Sequence, residues 1–295
     1  MAMSDTGRFI YSIPSTKKSV SLSSDGGKTS QATTCPQATS NYAMVVCSAL
    51  GAVVVVAGSS SAGNSAFFST DYGASWTAPA AIAAETLFRS AGVSGDGTTI
   101  ALQVFGATVY ISTDSGASFS KVNSGSTGRG MAVSGDGSNI LFGFTTGTAW
   151  FSSNKGASFA SFSVAAVAPF ANGPHGFSVY GLGMSDDGSR VIVSHAYGSD
   201  TGFYITTNGR ASWSLVTNAP APNQGGNVCM SADGLTIWVS TTVAATGLYK
   251  STDGGATWSV VVSTRGVSKF ACSRDASKVF FSSQDLPSGL FTIVA

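Results

Sequence analysis

Ser69-Thr70-Asp71-Tyr72-Gly73-Ala74-Ser75-Trp76 and Ser251-Thr252-Asp253-Gly254-Gly255-Ala256-Thr257-Trp258 are two copies of one phrase. It recurs as Ser112 to Phe119 around Asp114, as Ser152 to Phe159 with Asn154 at the aspartate position, as Thr206 to Trp213 with Asn208, and in degraded form as Ser23 to Ser30 around Asp25. Self-similarity at a spacing of about 40 to 50 residues marks stacked or circular repeats, each too small to bury a core alone.

A second phrase alternates with the first. Val93-Ser94-Gly95-Asp96-Gly97, Val133-Ser134-Gly135-Asp136-Gly137, Met184-Ser185-Asp186-Asp187-Gly188 and Met230-Ser231-Ala232-Asp233-Gly234 are its clear copies, with weaker ones at Met3-Ser4-Asp5, Cys47-Ser48 and Cys272-Ser273-Arg274-Asp275. Each copy stands between two short apolar runs, the pattern of two strands joined by a tight Asp/Gly turn. A third run, with an aromatic such as Phe67, Tyr110, Trp150, Tyr204 or Tyr249, leads into the eight-residue phrase, and a fourth run follows it. Four strands per repeat over seven repeats predict an all-β chain: a seven-bladed β-propeller of four-stranded antiparallel blades, forming a single domain over 1–295. The last repeat stops at Phe291 to Ala295, so the seventh blade is expected to lack its outer strand unless N-terminal residues help close the ring.

Ser/Thr-x-Asp-x-Gly-x-Ser/Thr-Trp/Phe resembles the Asp-box, or BNR repeat, of sialidases and lectin-like propellers. Chemistry gives these residues a structural duty. The Asp or Asn at 25, 71, 114, 154, 208 and 253 accepts bonds from nearby N–H groups, Gly allows positive φ, and the aromatic packs beneath the turn. Asn at two of the six positions points to a structural role over an ionised one.

Both phrases fall on one face of such a ring, which leaves the variable loops on the other, where binding usually resides. Arg89, Arg129 and Tyr180 each lie five residues before a repeat serine, so three adjacent blades would present them at matching places. Guanidinium groups there would suit a carboxylate, sulfate or phosphate. Tyr42, His175 and Arg265 complete the candidate ligand-binding set of that face.

The sialidase resemblance implies an arginine triad, a Tyr/Glu nucleophile pair, an Asp acid/base and an early Phe/Tyr-Arg-Ile-Pro motif. Here Tyr11-Ser12-Ile13-Pro14 lacks the arginine. Glycoside hydrolysis ordinarily needs two positioned carboxyl groups. Of the 14 acidic residues, all but Glu85, Asp200 and Asp285 belong to or adjoin the repeated turns. The chain is therefore expected to be a non-catalytic recognition module for a glycan or a protein surface. The alternative is a structural part of a virion or extracellular assembly, joined through the edge of blade seven; a sialidase-like hydrolase ranks third.

Other classes find little support. The glycines fall at turn spacing and open no helix, so no phosphate or dinucleotide cradle is expected, and no serine sits in a nucleophile elbow. A net charge of +1 offers no basic stripe for nucleic acid. No run approaches the roughly 20 apolar residues of a membrane span, and no signal peptide is read at the start, which leaves cytosol, virion and non-classical export open. The cysteine spacing matches no metal site, and no cofactor is expected. Cys47 and Cys272 precede matching serines on equivalent strands of different repeats, so the four cysteines are read as buried thiols.

Overall fold

A computed structural model of the chain describes residues 1–14, 19–36, 41–59, 65–106, 108–123, 130–143, 148–163, 179–197, 200–218, 226–241, 247–263, 267, 269–282 and 290–294. They form seven antiparallel sheets, each a meander in sequence order. The first holds Ala2–Met3 (β1), Ile10–Ser12 (β2), Ser21–Ser23 (β3) and Gln31–Ala32 (β4); the second holds Asn41–Cys47 (β5), Val54–Ser59 (β6) and Ala66–Ser69 (β7). The third holds Phe88–Val93 (β8), Ile100–Val104 (β9), Thr108–Ser112 (β10) and Ser120–Asn123 (β11); the fourth holds Gly130–Val133 (β12), Ile140–Gly143 (β13), Thr148–Ser152 (β14) and Ala160–Ser163 (β15). The fifth holds Val179–Met184 (β16), Val191–Tyr197 (β17), Asp200–Thr206 (β18) and Ser214–Leu215 (β19); the sixth holds Val228–Met230 (β20), Ile237–Thr241 (β21), Gly247–Ser251 (β22) and Ser259–Val262 (β23). The seventh holds Lys269–Cys272 (β24), Lys278–Ser282 (β25) and Leu290–Val294 (β26).

The first strands β1, β5, β8, β12, β16, β20 and β24 stand side by side in that order, and β24 returns to β1. Sheets set radially around such a circle make a β-propeller. Each junction between neighbours is filled by its own apolar cluster. The largest joins the second and third sheets through Val55, Phe68, Phe88, Ile100 and Leu102, and the smallest joins the seventh to the first through Phe280, Met3 and Ile10. Second strands are therefore covered on both faces: β9, β13 and β21 are buried along their whole length, whereas β4 and β19 are exposed. That is why the second runs read as continuous apolar stretches rather than alternating ones.

Not every sheet has four strands. In the second sheet the fourth is reduced to one bridge, Phe68 to Thr77, because Pro79 and a 3-10 turn at Ala80–Ile82 follow at once; proline cannot continue a ladder. The first sheet takes all four strands from residues 2–32 and the seventh its described strands from 269–294, so no described strand crosses between them.

The two turn types are closed circuits of hydrogen bonds. In the eight-residue turn the Ser69 hydroxyl donates to Asp71 Oδ1 at 2.8 Å and accepts from the Gly73 N–H at 2.7 Å. Asp71 also takes the Ser75 N–H at 2.8 Å and the Ser75 hydroxyl at 2.6 Å. The chain here runs through two successive positive φ values, 61° at Tyr72 and 83° at Gly73. Asn154 reproduces the circuit with one reversal: its Oδ1 accepts from the Ser152 hydroxyl and the Ser158 N–H, while its Nδ2 donates to the Ser158 hydroxyl at 2.8 Å.

These bonds favour the ionised carboxylate. Hydroxyl and N–H donors hold Asp25, Asp71, Asp114 and Asp253 down to about 2. A folded pKa below the unfolded value near about 4 adds stability that is present above about pH 4 and lost as pH falls through about 2. The melting temperature is therefore expected to hold level from neutral pH to about pH 5 and then fall steeply toward pH 2. Thermal melts across that series check it, and an unchanged melting temperature at pH 2 would refute it. Asn154 and Asn208 contribute nothing to the slope.

Two of the four cysteines are not thiols. Cys229 on β20 and Cys272 on β24 form a disulfide, with Cα atoms 6.2 Å apart. Cys35 and Cys47 are free.

Candidate functional site

The ring has two chemically different ends. At the turn end, the residue after each repeat serine forms a circle of its own: Asp5, Ala49, Gly95, Gly135, Asp186, Ala232 and Arg274. The Asp5 N–H donates to the Ala49 carbonyl at 2.7 Å, Ala49 to Gly95 at 2.8 Å, Gly95 to Gly135 at 2.7 Å, Asp186 to Ala232 at 2.9 Å and Ala232 to Arg274 at 2.9 Å. Between Gly135 and Asp186 the link is to a side chain: the Gly135 N–H donates to Asp186 Oδ1 at 2.8 Å.

Arg274 crosses this circle. Its guanidinium pairs with Asp186 and lies so close to Gly95 and Gly135 that a Cβ at either would overlap it. Four small residues out of seven leave the width that the arginine fills. Burial raises the Asp5 carboxyl, Arg274 draws it back down, and Asp186 and Asp275 push it up. The centre of the turn end is thus bridged by the Arg274–Asp186 pair.

At the loop end, Arg89 stands at a β-bulge. Register between β8 and β9 shifts between Phe88 and Ser90, and the equivalent shifts in β5 and β16 bracket Ala43 and Tyr180. Ala43 also lies five residues before a repeat serine, Ser48, so the interval that groups Arg89 with Tyr180 is the position where these three first strands kink. Bulges re-aim side chains. The Arg89 guanidinium turns outward along the blade onto the Phe105 ring, 4.9 Å from its centroid. Phe105 remains 58% exposed. Beside it the Tyr110 hydroxyl donates to Glu85 at 2.5 Å, and Lys121 lies 5.9 Å over the Tyr110 ring. Burial, with the Glu85 bond second, pushes the Tyr110 phenol up to about 12.

The other expected ligand residues fare differently. Tyr42 is not at the rim: it is buried in the core between the first and second sheets, and its hydroxyl donates to the Pro36 carbonyl at 2.6 Å. Its neighbour Ala43 takes the kink, so the alternating side chain of Tyr42 turns inward. Tyr180 belongs to β16, but its side chain lies outside the described residues, as do Arg129, His175 and Arg265. His195 is buried against Tyr204, their ring centroids 6.1 Å apart. Among the described residues no cluster of His, Cys, Asp or Glu is set to hold a metal.

Three features passed unnoticed in the sequence. Phe105 falls between the two repeated phrases of the third blade, just after β9, with nothing to mark it. Arg274 and Asp186 depart from the small residues of the second phrase. Arg210 departs from the first phrase, filling the glycine position with φ 79°. Its guanidinium stacks 3.4 Å over Phe151 of the preceding sheet and donates to the Gly188 carbonyl at 2.7 Å. At the same junction elsewhere, glycines such as Gly116 and Gly156 lie against Phe68 and Ile111. Departures from a repeat, as much as its consensus, carry the signal.

No known family profile matches the chain, and no curated protein matches it. Solved structures do. A glycoside hydrolase family 74 enzyme from Niastella koreensis aligns over 97% of this chain at 23% identity with a TM-score of 0.60, and an ancestral enzyme of that family over 99% at 14% with 0.61. This chain spans 43% and 37% of their lengths. YCF48, solved bound to D1 peptide, aligns over 99% of this chain and 91% of its own at 17% identity with a TM-score of 0.64. Likeness at these identities shows the fold and nothing further: the chain is a β-propeller.

Proposed function

We propose that this chain is a seven-bladed, Asp-box-like recognition propeller without catalytic activity, which holds a glycan or glycoconjugate with an acidic group on its loop end. The observation that carries this is the exposed Phe105 ring with the Arg89 guanidinium stacked on it. An aromatic face suits the C–H surface of a sugar, and a guanidinium suits a carboxylate or sulfate. Arg129, Tyr180, His175 and Arg265 remain proposed members of the same rim. The carboxylates of the turns are held by their own hydroxyl and N–H donors, and Glu85 is engaged by Tyr110, so hydrolysis by a pair of carboxyl groups is not expected.

A protein ligand is the second reading. YCF48, matched over 91% of its length, is solved bound to D1 peptide. An array of acidic and neutral glycans, followed by titration calorimetry of any hit, tests the first reading. Arg89→Ala is expected to weaken binding of an acidic glycan by at least about tenfold, the worth of one charge-assisted contact. A blank array, or equal affinity in wild type and Arg89→Ala, defeats it.

A further inference from the structure

Charge is sorted across this ring. Only Glu85, Asp200 and Asp285 of the acidic residues fall outside the turns joining first to second and third to fourth strands. On the turn face eleven aspartates therefore meet seven bases, six in those turns and Lys278, which opens β25 and reaches the Thr6 carbonyl. Hydrogen bonds keep most of these aspartates ionised, so the face is negative by four charges at neutral pH. The whole chain is +1, so the remainder of the molecule is positive by five. Exposed apolar side chains accompany both signs. Leu50 is 70% exposed, Leu235 41% and Tyr72 40% on the turn face, and Phe105 lies with Arg89 at the loop end.

We infer that the turn face docks a second copy of this chain, head to tail, against that copy's loop end. Complementarity of both kinds names the occupant: an acidic surface carrying Leu50 and Leu235 meets the end where Phe105 carries the Arg89 guanidinium, on a remainder of the molecule that is net positive. Single exposed apolar residues are ordinary on monomers, and Leu215, Val260 and Val261 are such residues on outer strands; Leu50, Leu235 and Tyr72 lie on the end opposite Phe105. The two patches differ, so every pair leaves one of each unused and assembly continues beyond a dimer. Attraction between sorted charges makes it sensitive to salt. This inference shares the Arg89–Phe105 end with the glycan reading and adds the turn face, which plays no part in ligand binding there, so Leu50→Lys touches the assembly alone.

Sedimentation velocity on the full chain tests it. The average sedimentation coefficient is expected to rise with protein concentration past that of a dimer in low salt. It should return to the monomer value in about 1 M salt, where the screening length is about 3 Å. Leu50→Lys and Phe105→Asp, both at exposed sites and checked for folding by circular dichroism, should each remain monomeric. Mixed together they retain one compatible pair of faces, so they should form a dimer and nothing larger. A wild-type coefficient independent of concentration overturns the inference, as does assembly that stops at a dimer or survives both substitutions. Binding of an oligolysine peptide or an acidic glycan by a wild type that stays monomeric would give the faces to other partners and overturn it too. Leu50→Lys that still binds glycan but no longer assembles separates the two proposals.

Discussion

Trp238→Ala is expected to cost about 4 to 5 kcal/mol, near the top of the range for deleting a buried aromatic. Trp238 is fully buried on β21, and its indole fills the cluster between the sixth and seventh sheets with Leu248, Phe270, Val279 and Phe281. Its Nε1 also donates to the Ala276 carbonyl at 2.9 Å. Ala276 stands where every other copy of that turn has glycine, and holds a φ of 54°. A side chain in that region is strained, and the indole bond ties the strained residue to the neighbouring blade. The first sheet repeats the device: the Tyr11 hydroxyl donates to the Gly51 carbonyl at 2.8 Å. Truncation leaves both a cavity and an unpaired buried carbonyl. For a chain of this size the melting temperature should drop by about 10 °C, read by calorimetry. A drop below about 3 °C would show that the junction collapses around the void, against the close packing inferred for it.

The repeat made the architecture legible because the turns are chemically demanding. A hydroxyl, a carboxyl or amide, and a residue tolerant of positive φ must fall at fixed spacing for the circuits at Ser69, Asp71 and Gly73 to close, and few other residues can serve. Strand number was less legible. Thr77 makes one bridge where a fourth strand was expected, since outer strands are exposed and their residues little constrained. The loop end was legible only in part: the five-residue interval found the bulge at Arg89, but not that its guanidinium would lie on Phe105. Tyr42 looked like a loop aromatic because a one-residue kink beside it decides which way it faces. The cysteines show a subtler difficulty. Cys47 and Cys272 lie on equivalent strands of sheets two and seven, which are not neighbours. Equivalent first strands of adjacent sheets are neighbours in a ring, and that brings Cys229 to Cys272.

Breaking that disulfide should have an effect of similar size through a different route. The two half-cystines are 43 residues apart, and chain entropy for a loop of that length gives about 4 kcal/mol of stabilisation, exerted mainly on the unfolded chain. Cys229→Ser with Cys272→Ser is expected to lower the urea midpoint accordingly, as is reduction of the wild type by dithiothreitol. Burial pushes the remaining thiols up, Cys35 to about 11 and Cys47 to about 12, so neither should be alkylated in the native state. Identical urea midpoints with and without reductant would deny the bond any share in stability. The disulfide and Trp238 lie at one junction, so their effects should not add. Once reduction has already loosened the seventh sheet, Trp238→Ala should remove less than its 4 to 5 kcal/mol. Additive losses would mean that the two staples act independently, and that the seventh sheet is held as firmly by its contact with β1, where Lys278 Nζ donates to the Thr6 carbonyl at 2.5 Å, as by β20.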